Sequence, residues 1–394
     1  MTNLPQGWKW KSLGEICFIT DGTHKTPNYI ETGIPFLSVK NISKGFFDLS
    51  DVKYISLEEH NKLIKRAKPE FGDILICRIG TLGKAIKISL EFEFSIFVSL
   101  GLLKPKVKII SDYLVYFLNS CFIEEWINDN KVGGGTHTAK LNLNILEKCP
   151  IALPPLKEQE RIVGILDESF AKIDESIKIL EQNLLNLDEL MQSALQKAFN
   201  PLKDNAKENY KLPQSWEWKS LEEISENISA GGDKPKNCTE SKTAKNQIPV
   251  YANGVNNNGL VGYTDKATII KPSLTISARG TIGFVCIRKE PYFPIVRLIS
   301  LIPCENILCL HYLYFCLNFF IAKGEGSSIP QLTIPKFKSL QIPLPPLKEQ
   351  EQIAKHLDFV FEKTKALKEL YTKELKDYEE LKQSLLNKAF KGKL

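Results

Sequence analysis

The chain is written twice, so whatever it folds into must be two copies of one device. LPQGWKWKSLGEI at 4–16 returns as LPQSWEWKSLEEI at 212–224, and LPPLKEQERI at 153–162 returns as LPPLKEQEQI at 344–353. Between these anchors Ile76 and Gly80-Thr81-Leu82-Gly83 match Ile276 and Gly280-Thr281-Ile282-Gly283, and YLVYFLN at 113–119 matches YLYFCLN at 312–318. The offset between copies is 208 at the first anchor, 200 at the GTxG element and 191 from Gly133/Gly324 to Lys197-Ala198-Phe199/Lys388-Ala389-Phe390. Insertions are therefore confined to the front of each half. Each half joins a divergent front domain to a closely matched C-terminal segment, and the polar, proline-started stretch 200–211 links the halves.

The front domains read as mixed α/β. Short β-branched and aromatic runs, IPFLSV at 34–39, DILICRI at 73–79 and FSIFVSLGLL at 94–103, are punctuated by Gly, Pro and Asn and are expected to be strands. Ser111 to about Asn130 is expected to be a helix. Strands do not alternate regularly with helices, which argues against a doubly wound sheet. Trp8, Trp10, Trp216 and Trp218 are expected in the core or at domain packing.

After each diproline the pattern becomes helical, with Glu158 and Glu160 near the positive end of the dipole. Leu166, Phe170, Ile173, Ile177, Leu180, Leu184, Leu187, Met191 and Ala194 follow at alternating steps of 4 and 3, the spacing of a coiled-coil seam. The same register in the second copy gives Leu357, Phe361, Thr364, Lys368, Tyr371, Leu375, Tyr378, Lys382 and Leu385. That seam is poorer; Leu367 and Leu381 partly replace its lysines, whose stems are alternatively able to snorkel along it. The clean seam of the first helix is expected to pair with the second in an intramolecular antiparallel coil.

Net charge is +6, with the excess outside the first long helix, which is compatible with nucleic-acid contact without establishing it. The nine cysteines form no CxxC pair, so neither zinc nor a disulfide framework is indicated, and buried thiols are expected. The longest apolar stretch, near 308–322, is too short for a membrane span, and the N-terminal residues lack the apolar run of a signal peptide. A cytoplasmic protein without membrane contact is expected.

Two divergent α/β domains, each ending in LPPLKEQ and a heptad helix, resemble the specificity subunits of type I restriction-modification systems. The LPxxW start, Gly33-Ile34-Pro35 and the run from Asp73 to Lys84 ending in GTLGK add to the resemblance, which covers nearly the whole chain. It implies an α+β protein in which two similar target-recognition domains, 1–153 and 212–344, are joined by two long antiparallel coiled-coil helices, 154–199 and 345–394, in an internal pseudo-two-fold duplication. It further implies a bipartite double-stranded DNA site, docking of methyltransferase subunits, two in number, and of restriction subunits, and no catalysis or cofactor in the chain itself. S-adenosylmethionine, ATP and Mg belong to the partners. A helix roughly 65 Å long at 1.5 Å per residue is expected to act as a ruler between half-sites about one helical turn, near 10 base pairs, apart.

DNA reading needs cations for phosphates, and amide, guanidinium or hydroxyl groups for base edges. The candidates are Lys25, Arg78, Thr81, Lys84, Thr136, His137, Thr138 and Lys140 in the first half. In the second they are Lys234, Lys236, Asn253, Asn256, Asn257, Arg279, Thr281, Ser327, Ser328 and Gln331. Phe284 stands where the first copy has Lys84, and Arg279 is one place later than Arg78. GTLGK does not complete a phosphate loop, and neither HExxH nor [DNS]PP[YF] occurs. The competing readings are a coiled-coil scaffold whose domains bind protein or glycan, and a free-standing enzyme.

Overall fold

The computed structural model describes residues 4–134, 139–199, 213–321 and 332–394, with the backbone alone of 324–325. These fall into two units, Met1–Leu180 with Lys373–Leu394, and Glu181–Thr372.

In the first unit β1 (Lys9–Ser12) runs into α1 (Leu13–Ile16), which Ser12 and Glu15 start with a capping box. The strands β2 (Cys17–Asp21), β3 (Ile34–Leu37), β4 (Lys53–Ile55), β5 (Ile74–Cys77), β6 (Ala85–Lys87), β7 (Ser95–Ile96) and β8 (Leu100–Pro105) follow, with α2 (Leu57–Leu63) between β4 and β5. They make an antiparallel sheet in the order β2-β8-β5-β6 and a smaller one, β4-β3-β7, in which β3 and β7 are parallel. The expected strand 94–103 is thus two strands. Phe97 donates to Leu37 O and Val98 to Thr23 O as the chain crosses from one sheet to the other. The expected helix from Ser111 is likewise two, α3 (Ser111–Leu118) and α4 (Cys121–Asn130). Asn119 breaks it, its side chain accepting from Ala85 N at 3.1 Å and donating to Ala85 O at 2.8 Å. After α5 (Leu143–Leu146), β9 (Pro150–Leu153) returns to pair with β1 and leads into α6 (Leu156–Phe199).

The second unit repeats this plan. β10 (Glu217–Ser220), α7 (Leu221–Ile224) and β11 (Ser225–Ala230) precede β12 (Ile248–Tyr251), β13 (Leu260–Thr264) and β14 (Ser273–Ile276). Next come β15 (Thr281–Ile282), β16 (Val285–Arg288), β17 (Phe293–Pro294), β18 (Ile299–Pro303) and α8 (Leu310–Phe320). The unit closes with β19 (Gly324–Glu325), α9 (Ile334–Lys338), β20 (Gln341–Leu344) and α10 (Leu347–Phe390). Its sheets, β11-β18-β14-β16, β13-β12-β17 and β10-β20, match those of the first, and β15 pairs with β19.

The recurring LPPLKEQ has a physical role beyond its prolines. The buried Gln159 accepts from Ile110 N at 2.9 Å and donates to Pro154 O at 2.9 Å. Gln350 does the same with Cys309 N at 2.9 Å and Pro345 O at 2.8 Å. One amide thus joins the start of the long helix to the start of α3 or α8, satisfying groups whose burial unpaired costs about 1–3 kcal/mol each.

Each long helix divides between the units. In the first, Leu386 and Ala389 of α10 enter the core with Leu166, Tyr113 and Phe117, and Phe390 packs on it. In the second, Leu195 and Phe199 of α6 join Leu357, Tyr312 and Phe315. The pairing is antiparallel, with Asp174 bonded to Lys382 in one unit and Asp188 to Lys368 in the other. The seam residues Leu166, Ile173, Leu180, Leu187 and Leu357 are buried, and Phe170, Ile177, Leu184, Met191, Phe361, Tyr371, Leu375, Tyr378 and Leu385 half-buried. Leu367 and Leu381 do not replace the seam lysines; they face solvent. Lys368 and Lys382 keep the seam because their stems cover apolar surface while their ammonium groups reach the aspartates. Of the tryptophans, Trp8 and Trp216 are buried and Trp10 half-buried, but Trp218 is exposed.

Burial pushes the Cys17, Cys77 and Cys149 thiols up to about 12, so almost no thiolate exists at pH 8. Iodoacetamide on the native protein is expected to leave these three unmodified until denaturant is added. Mass mapping showing rapid native labelling of Cys77 would contradict the buried sheet.

Candidate nucleic-acid interface

In both units the strand leading out of the four-stranded sheet ends in a glycine pressed against backbone. A Cβ on Gly22 meets Ile96 O at 2.0 Å, and one on Gly231 meets Ile295 N at 2.6 Å. Only glycine lets these segments lie so close. Beyond it the chain turns outward and exposes Lys25 in one unit and Lys234 and Lys236 in the other.

Lys25 lines a pocket of about 320 Å³ with Thr23, His24, Lys62 and Arg66. Beneath it lies Asp21, a buried carboxylate that takes Arg66, Arg78 and His24 together. Burial by itself raises this carboxyl, but the bonds from Arg66 and the charge of Arg78 outweigh it and hold Asp21 below the ordinary carboxylate value. Arg78 is buried; its guanidinium also donates to Leu141 O at 3.0 Å and Val98 O at 3.2 Å. It binds the end of β5 to the strand-to-strand turn instead of facing solvent. Arg66 remains half-exposed over the same carboxylate.

Thr81 is exposed on the GTLG turn, beside a cavity of about 430 Å³ lined also by Asn128 and Lys131. Lys140 is brought to this turn by bridges to Ile79 and Val132. Thr136, His137 and Thr138 lie outside the described residues, as do Ser327, Ser328 and Gln331. Lys84 is elsewhere, half-buried in a cleft of about 730 Å³ with Lys44, Lys87, Asp112, Tyr116 and Lys382.

In the second unit Ala278 takes the place of Arg78, and Asn253 does the bracing. Its Nδ2 donates to Val296 O at 2.7 Å and its Oδ1 accepts from Ala278 N at 2.8 Å. The carbonyl held by Arg78 in one unit is held by Asn253 in the other. Asn256 and Asn257 are exposed in a short turn where Asn257 has φ 47°. Arg279 is exposed beside the second GTxG turn, where the buried Thr281 hydroxyl has no partner among the described residues. No group of three or more His, Cys, Asp or Glu able to hold a metal occurs among the described residues.

Asp21, Arg66, Gln159 and Gln350 are absent from the candidates read from the sequence. Asp21 and Arg66 are 45 residues apart and carry no spacing that joins them. The glutamines had a signal, their identical place in both copies of LPPLKEQ.

The family described as type I restriction modification DNA specificity domain matches this chain twice, over 5–185 and 213–377. A chain of Mycoplasma pneumoniae described as a type I specificity subunit is 31% identical over 272 residues, covering 68% of this chain and 69% of that one. The MjaX specificity subunit of Methanocaldococcus jannaschii is 25% identical over 412 residues, 99% and 94% of the two. A solved chain from work on assembly and conformational transition of the type I R-M system superposes with a TM-score of 0.82, at 22% identity and full coverage of both.

Proposed function

From the premise that this chain belongs to the type I restriction-modification DNA specificity family, we propose that it reads a bipartite double-stranded DNA site. Each front domain reads one half. The paired helices dock two methyltransferase subunits, and restriction subunits join the same complex. S-adenosylmethionine is then bound by the methyltransferase, and ATP and Mg by the restriction subunits. Lys25, Thr81 and Lys140, with Arg66, are the contacts proposed for the first domain, and Lys234, Lys236, Asn256, Asn257 and Arg279 for the second. Arg78 and Asn253 act behind them, bracing the turns. Thr136, His137, Thr138, Ser327, Ser328 and Gln331, outside the described residues, remain proposed contacts, as does Lys84.

The observation that carries this reading is a repeated frame with unlike loops. The β1–β9 and β10–β20 pairings and the two glutamine bridges are the same in both units, whereas one turn is braced by Arg78 and its counterpart by Asn253. A protein that reads two different half-sites with one scaffold needs that division. A scaffold for protein or glycan ligands predicts no DNA sequence preference.

Two copies of one partner are favoured by exposed apolar residues that recur on the helices of both units. Ile179 and Leu381 are 54% and 44% exposed in the first unit, Leu190 and Leu370 51% and 48% in the second. The repeat carries Ile179 onto Leu370 and Leu190 onto Leu381.

The purified chain is expected to transfer no methyl group, whereas addition of its methyltransferase and S-adenosylmethionine gives adenine methylation. Glutamate at Ile179 and Leu381 is expected to remove one methyltransferase subunit from the complex, and glutamate at all four positions both, read by native mass spectrometry. Full assembly on the fourfold variant would refute this docking face.

A further inference from the structure

We propose that Arg297 is the side chain with which the second domain reads a guanine in its half-site, displayed on a turn that the fold holds rigid. The proposal rests on the DNA-reading function above and names the residue that carries specificity in one domain.

Between β17 and β18 the chain passes through Val296 and Arg297 with φ of 53° and 59°. A left-handed backbone is unfavourable for a β-branched residue and persists only where surrounding structure enforces it. The enforcement is visible on every side. Val296 N donates to Gly232 O at 2.8 Å, Arg297 N to Gly231 O at 2.9 Å, and Val296 O accepts from Asn253 at 2.7 Å. Ile295 and Leu298 on either side are buried. Only Val296 and Arg297 emerge between them. No hydrogen bond or ion pair holds the Arg297 side chain among the described residues. Lys234 and Lys236 are exposed on the segment that follows Gly231 and Gly232, so the turn stands beside a mainly cationic loop.

The first unit shows what this turn is without a reading residue. There Val98 N donates to Thr23 O at 3.0 Å, and Val98 O accepts from Arg78. The bonds match residue for residue, Phe97 with Ile295, Val98 with Val296 and Leu100 with Leu298, so Arg297 stands in the place of Ser99. Ser99 is buried and its hydroxyl accepts from Val39 N at 3.1 Å, whereas Arg297 at the same place is exposed. A guanidinium on an immobile backbone suits the bidentate bond to guanine O6 and N7, which requires fixed direction as well as charge. The neighbouring lysines suit phosphates, which demand charge without direction.

The test uses the chain assembled with its methyltransferase. Adenine methylation is mapped to define the site, and binding is then measured to that duplex and to duplexes with either half-site scrambled. Arg297→Ala is expected to weaken binding to the intact site roughly 10-fold or more. It should leave binding to the duplex with the second domain's half-site scrambled unchanged, and make one guanine position degenerate in the methylation map. Arg297→Lys should not restore the guanine preference. Unchanged preference in Arg297→Ala overturns the proposal, as does equal weakening on all duplexes, which marks a phosphate contact. A wild-type complex with no sequence preference would instead remove the DNA-reading function itself.

Discussion

Exchanging residues 212–343 for the corresponding domain of another family member is expected to change one half of the methylated sequence and leave the other half as it was. Binding to the original site should fall by roughly 10³-fold or more, the usual gap between specific and non-specific association. The physical ground is that each front domain closes its own sheets. The order β2-β8-β5-β6 uses only strands of the first unit, and β11-β18-β14-β16 only those of the second. The donor must keep an aromatic equivalent of Tyr312, because Phe199 of α6 packs against it at 5.5 Å between ring centroids. Methylation mapping reads both halves at once. A change in both would show joint reading and defeat the modular account.

The second large effect concerns the helix ends. Phe199 is buried against Tyr312, Phe319 and Phe320, and Phe390 packs on Phe117 at 4.8 Å and Tyr113 at 5.7 Å. Phe199→Ala is expected to cost about 3–5 kcal/mol, and Phe390→Ala, starting half-buried, the lower end of that range. At about 2–4 °C per kcal/mol for a unit of this size, the thermal midpoint should drop by on the order of 10 °C. Hydrogen exchange localises the damage. Phe199→Ala should loosen the sheet of the second unit, and Phe390→Ala that of the first, although Phe390 is more than 300 residues away from β5 in the chain. Loosening in the unit where each helix begins would contradict the packing described.

How much of this was legible beforehand differs from residue to residue. The heptad seam from Leu166 to Met191 is local periodicity, and periodicity is written along the chain. The second seam was legible only in outline. Whether Leu367 or Lys368 faces the first helix depends on Asp188 standing across from it, and that is a property of the pair. The break between α3 and α4 was hidden for the same reason, since Asn119 interrupts a helix by bonding the edge strand β6, 34 residues away.

By itself the sequence determined that there are two copies of one α/β device, that each copy ends in a long seam helix led by LPPLKEQ, and which family marks they carry. Repeats, heptads and proline punctuation are short-range, and each survives without knowledge of what lies opposite. Only the tertiary structure decided which polar residues are free to meet a ligand. Arg78 and Asn253, both candidates by residue type, are engaged as braces, because Asp21, Val98 and Val296 come to them from distant segments. Arg297, with no motif around it, is left exposed and uncommitted among the described residues. A guanidinium or amide has the same donors wherever it stands, and its role is set by whether a buried acceptor reaches it first.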